Sequence, residues 1–79
     1  MLKFQSVSFT NSDTFDMYIN PLHIINMISN FDSKQHTDIH IQGGGVFKVN
    51  GRIETIADVV GNYLDNLFSG LGTAALRGK

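Results

Sequence analysis

His36, Asp38, His40 and Gln42 occupy every second position of one short stretch, and Gly43, Gly44 and Gly45 follow at once. Lys48 and Arg52 come within the next seven residues. Residues of these types offer three kinds of chemistry. Two histidines four apart chelate a metal when they share a helix face. In an extended chain the same spacing spans about 13 Å, too far for one ion. The alternation here is strand-like, so no metal site is expected. The row reads instead as a polar face whose His and Gln side chains both donate and accept hydrogen bonds. The glycine run could form an anion nest from backbone N–H groups, with Lys48 and Arg52 as nearby charges for a small phosphorylated ligand. A phosphate loop needs a helix straight after the glycines, with a lysine and a hydroxyl. Val46-Phe47-Lys48-Val49 follows instead, so a hairpin turn is the expected role of the glycines.

Nothing else in the chain suggests catalysis. No serine stands in a recognisable motif with a base and an orienting group, and no close carboxylate pair appears. The expectation is a protein that is not an enzyme and carries no cofactor. With no cysteine, disulfides and thiolate metal sites are excluded. The formal net charge is −1, and two of the six basic residues, Arg77 and Lys79, lie in the last three positions. The body then holds four basic against seven acidic side chains, the reverse of what a groove tracking phosphates needs. Phe4, Phe9 and Phe47 beside Lys3 and Lys48 resemble a base-stacking sheet. A nucleic-acid-binding regulator using that sheet and the basic tail is therefore the alternative reading, disfavoured by the charge. No apolar run approaches the roughly 20 residues of a membrane span. The first five residues lack the apolar core of a secretion signal. A soluble, cytoplasmic protein without a membrane partner is expected.

The elements that must position these residues are legible by period. Residues 2–10 read as a strand whose apolar parity flips between Leu2/Phe4 and Val7/Phe9. That flip means either a bulge near Gln5-Ser6 or cover on both faces. Asn11-Ser12-Asp13 is a turn cluster. In residues 14–19, Phe15, Met17 and Ile19 share one face, so the two segments form a hairpin. Asn20-Pro21 suits a cap and a first helical position. The stretch 22–28 fits a helix loosely and a strand by its three isoleucines; one helical turn and then a strand over 25–31 is the reading taken. After a polar loop, strands over 37–42 and 46–53 flank the triglycine turn, with a turn or bulge at Asn50-Gly51. A helix follows over 55–71. Ile56, Val59, Val60, Tyr63, Leu64, Leu67 and Phe68 form its apolar stripe. Thr55 is its expected N-cap with Asp58 completing a capping box, and Gly70 its C-terminal stop.

The expected fold is thus α+β: a small antiparallel β-meander of about five strands with one C-terminal helix packed on one face. Residues 1–71 form a single domain and 72–79 a flexible tail.

Two stretches resemble the FlbD family of small flagellar-operon proteins. One is Tyr18-Ile19-Asn20-Pro21-Leu22-His23-Ile24-Ile25. The other joins Asp38-Ile39-His40-Ile41 through Val46-Phe47-Lys48-Val49 to Thr55-Ile56-Ala57-Asp58-Val59-Val60. The likeness is one of pattern and covers about half the chain. It implies a hairpin leading into a capped helix and supplies no catalytic residues.

A chain of 79 residues with 42% hydrophobic and 16% charged side chains has more apolar material than one sheet face under a helix absorbs. A domain this size buries only about 60% of its unfolded surface, and an apolar surplus on a small chain marks an interface. Val7, Phe9, Tyr18, Ile24 and Met27 are the expected interface residues. The ligand-facing residues are expected to be His36, Asp38, His40, Gln42, Gly43, Gly44, Gly45, Lys48 and Arg52. Together these readings describe a non-enzymatic binding protein that is a homo-oligomer. It would sequester a small ligand or block a protein target, as regulators and inhibitors of phage or mobile-element type do.

Overall fold

The computed structural model describes residues 1–77 in backbone and 1–69 in side chain. Five strands and one helix follow in order: β1 (Leu2–Val7), β2 (Thr14–Ile19), a 3₁₀ turn (Pro21–His23), β3 (Ile24–Ser29), β4 (His36–Ile41), β5 (Val46–Asn50) and α1 (Ile53–Arg77). The local chemistry explains the breaks. Asn11 Oδ1 accepts the Asp13 N–H at 2.9 Å, and Ser8 N–H donates to the Asp13 carbonyl at 2.9 Å. Together they fold the β1–β2 turn as an Asx turn does. Asn20 Oδ1 accepts the Leu22 N–H at 3.0 Å. Pro21 opens the single 3₁₀ turn, and Ile24 then starts a strand. The ambiguous isoleucine-rich stretch is therefore strand after one helical turn.

All five strands lie in one antiparallel sheet of order β2-β1-β5-β4-β3. This is the expected α+β class. The cyclic order is that of a meander, but the ladder is broken between β2 and β3 and closed between β5 and β1. Only residues 20–23 connect β2 to β3, at opposite edges of the sheet. Five Cα steps reach at most about 18 Å. Four strand spacings alone take about 19 Å in a flat sheet, and Ile19 and Ile24 sit at opposite ends of their strands. The sheet must coil, so it forms an incomplete barrel open along the β2/β3 gap.

The inside of this coil is the core. The registers Leu2↔Ile19, Phe4↔Met17, Ser6↔Val49, Thr37↔Val49 and Ile39↔Phe47 put these residues on one face. Phe4, Ile19, Ile39 and Val49 are buried there against Ile56 and Val60 of α1. The β1–β2 register is continuous, so the parity flip in β1 is not a bulge. Val7 points to the other face and is buried too, which makes β1 a strand covered on both sides at its end.

Helix α1 departs from expectation at both ends. It begins at Ile53, not after Thr55, which is exposed within the first turn. The cause is Gly51. Its φ of +127° lies in the region that favours glycine, and an added Cβ would stand 2.8 Å from Ile56 Cδ1. Its N–H donates to the Gln35 carbonyl at 2.8 Å, and its carbonyl accepts from Thr37 Oγ1 at 2.8 Å. The chain is thus turned out of the sheet at Gly51, and the Ile56 N–H already donates to the Arg52 carbonyl at 3.0 Å. At the other end the helix runs through Gly70 to Arg77, so Gly70 does not cap it and the backbone of residues 72–77 continues the helix. The Arg77 side chain and Lys79 lie outside the described residues. Of the stripe, Ile56 and Val60 are buried, Tyr63, Leu64 and Leu67 half-buried, and Val59 and Phe68 exposed. Among the described residues, no helix is long and apolar enough to cross a membrane.

Candidate functional site

The polar row lies on the outer face of the coil. Strand alternation points His36, Asp38 and His40 away from the core, opposite Asn50, Lys48 and Val46 of β5. Asp38 faces Lys48 across the ladder, yet each turns elsewhere. Asp38 Oδ1 accepts from Asn30 Nδ2 at 2.9 Å, and Lys48 Nζ stands 5.4 Å from the centroid of the Phe9 ring. That distance is within the reach of a cation–π contact. No group of three potential metal ligands occurs among the described residues.

The other expected ligand residues are dispersed. Gly43 and Gly44 have φ of +93° and +91°. Gly44 N–H donates to the Ile41 carbonyl at 3.2 Å, and Ile41 N–H donates to the Gly45 carbonyl at 3.0 Å. These bonds make the glycines a hairpin turn. Gln42 is exposed at its start, with its backbone N–H on the His23 carbonyl at 2.9 Å. Arg52 lies beyond the far end of β5, with Nε 3.7 Å from Glu54 Oε2. Lys48, midway along β5, is separated from both. A phosphate held jointly by the glycines, Lys48 and Arg52 therefore has no common site.

The expected interface residues also divide. Phe9 and Tyr18 are exposed, as an interface requires. Val7 is buried, and Ile24 and Met27 are half-buried against the core. The register puts Ile24 and Met27 opposite Ile41 and Ile39, on the inner face. A break in the β3–β4 register between Ile24 and Asn26 leaves Ile25 as the exposed neighbour.

What the structure assembles is apolar. Beyond the part covered by Ile56 and Val60, two clefts meet at Phe47. One, of about 350 Å³, has Phe9, Phe15, Val46 and Phe47 as its apolar wall and Ser8 and Thr10 on its rim. The other, of about 200 Å³, reaches Met17, Ile19 and Ile41. Phe15 is half exposed although the register turns it inward with Met17 and Ile19. Sequence parity assigns it to the core. Only the length of the coil relative to the helix above it shows that nothing among the described residues covers that end. Ile28 and Phe31 are further exposed apolar residues that parity does not single out, and the uncharged run 24–29 is the available signal for Ile28.

No family model, curated protein or solved structure matches the chain.

Proposed function

We propose that this chain is a small non-enzymatic binding protein that works as a homo-oligomer and sequesters a small apolar ligand or blocks a protein target. One observation carries the reading: eleven large apolar side chains are exposed among the described residues, Phe31 completely. Isolated exposed apolar residues need no explanation, but contiguous ones on a small chain mark contact surfaces. Phe9, Phe15 and Val46 cluster around one cleft, and Ile25 and Ile28 lie on β3 with Phe31 just past its end. A cleft with an aromatic wall and a hydroxyl rim suits an apolar or aromatic group bearing one polar end. Nucleic acid is the weaker reading. Lys3 is 3.3 Å from Asp16, and Lys48 sits over Phe9, so the outer face offers no basic stripe.

The test is light scattering coupled to native mass spectrometry on protein purified from its natural host. The expected mass is a small multiple of 8.7 kDa, with a co-purified apolar ligand or protein. A bare monomer at micromolar concentration overturns the proposal.

A further inference from the structure

We infer that the open edge of β3 is the seam along which two copies of this chain join, strand against strand, about a two-fold axis through Ile28. The inference rests on the proposed self-association and names its surface. β3 pairs only with β4. The Asn30 N–H donates to the His36 carbonyl at 3.0 Å, which marks residues 30 and 36 as a hydrogen-bonded pair. Antiparallel alternation then makes Ile28/Asp38 and Asn26/His40 hydrogen-bonded pairs as well. Met27 and Ser29 are left with N–H and C=O turned to the open side. Among the described residues, no hydrogen bond reaches either backbone from that side.

Natural sheets protect such an edge with lysine, proline or an inward charge. Ile24–Ser29, with the sequence Ile-Ile-Asn-Met-Ile-Ser, has none of these. Its flank is apolar: Ile25 is 62%, Ile28 50% and Phe31 100% exposed.

The occupant that fits is a second copy. An uncharged strand meets itself without like-charge repulsion, and the side-chain order is self-complementary. With Met27 of each copy bonded to Ser29 of the other, Ile28 falls directly opposite its own counterpart, while Ile25, at the register break, and Phe31, at the bend past the strand end, flank that pair on either side. The exposed Ile28 side chains then cover each other, and Asn26 lies beside Asn30 of the second copy. A register centred on Met27 would set Ile28 against Asn26 and lose that match. The opposite edge, β2, fails the same test. A two-fold pair there centred on Asp16 would bring two carboxylates together, which destabilises an antiparallel pair.

The experiment uses the full chain. Ile28→Asp and Ile28→Lys each place like charges across the axis, and each is expected to run as a folded monomer where the unsubstituted chain is a dimer. Circular dichroism checks that both fold. Mixing the two variants puts opposite charges across the axis, and the dimer mass is expected to return. As a readout that requires no loss of function, Ile28→Cys introduces the only thiol into a chain that has none. Opposite residues of a non-hydrogen-bonded pair have Cα atoms about 4.5 Å apart, within disulfide range. Mild oxidation is expected to link Ile28→Cys dimers and to leave Tyr18→Cys unlinked. If the unsubstituted chain is monomeric, the binding-oligomer reading itself falls. If it is oligomeric and both charged variants stay oligomeric, or if Ile28→Cys does not cross-link, the seam is wrong and the wider reading survives. Retention of a host protein that the charged variants release, with no dimer present, assigns the edge to a foreign strand and overturns the second-copy assignment.

Discussion

The two edges of the sheet have the same length and different chemistry. β2, Thr14–Ile19, carries Asp16, whose carboxylate is held 3.3 Å from Lys3 on the neighbouring strand. β3, Ile24–Ser29, carries no charge. The difference extends inward. Behind β3 lie Ile39, Thr37 and Val49, all fully buried, and the Gly51 turn that Thr37 and Gln35 hold. Behind β2 the inner face ends in Phe15, half exposed over a cleft. β1 behind β2 is itself buried at Phe4, Ser6 and Val7, so the difference in support is local: the guarded edge opens at Phe15 into a cleft, whereas the unguarded edge is backed by fully buried side chains. A sheet edge left bare on a rigid support is suited to contact, since little order has to be gained when a partner arrives.

Five substitutions test this contrast, the first two as a pair and the others in order of decreasing effect on stability. Ile39→Ala removes a fully buried side chain opposite Met27 and is expected to cost about 2–5 kcal/mol in urea unfolding. Phe15→Ala on the β2 side is expected to cost under about 1.5 kcal/mol, because much of the ring is already in water. Equal losses would abolish the contrast in support. Gly51→Ala forces a Cβ onto a φ of +127° and is expected to cost about 1–3 kcal/mol. A wild-type melting temperature for that variant would show that the turn is not constrained. Thr37→Val keeps the shape and deletes the bond to the Gly51 carbonyl; the expected loss is about 1 kcal/mol, read from the same unfolding curves. Asp16→Ile should change stability by less than about 1 kcal/mol, since the pair with Lys3 is exposed. Its effect should appear in assembly: with both edges bare, sedimentation is expected to show species beyond the dimer. A distribution identical to the unsubstituted chain would mean that Asp16 guards nothing.

Much of this architecture was legible in the sequence. Alternation places Phe15, Met17 and Ile19 on one face, and Val46-Phe47 after the triglycine favours a turn over a phosphate loop. Asn20-Pro21 announced the single helical turn. These are local signals, each decided within a few residues. The misses were non-local. Thr55 looks like an N-cap until the Gly51 turn, held from Gln35 and Thr37 on other segments, starts the helix earlier. Parity assigns Ile24 and Met27 to an interface because it separates faces without saying which face is covered. The register break at Ile25 and the coiling of the sheet decide that. Alternation suffices to place His36, Asp38 and His40 on one strand face, but no sequence rule places Arg52 and the glycines at opposite ends of β5.

The closure of β1 on β5 has a consequence for how quickly the chain reaches this state. The two strands share only Ser6↔Val49 and Val7↔Lys48, reinforced by Ser6 Oγ donating to the Lys48 carbonyl across 42 residues of sequence. Every other strand pair joins neighbours in the chain, so each can form early as a local hairpin. The β1–β5 seam must wait for a long loop to close, and loop entropy is lost before those few contacts return anything. Its formation is therefore expected to be the slow step of folding. Weakening it at Ser6 should lower the refolding rate more than it raises the unfolding rate.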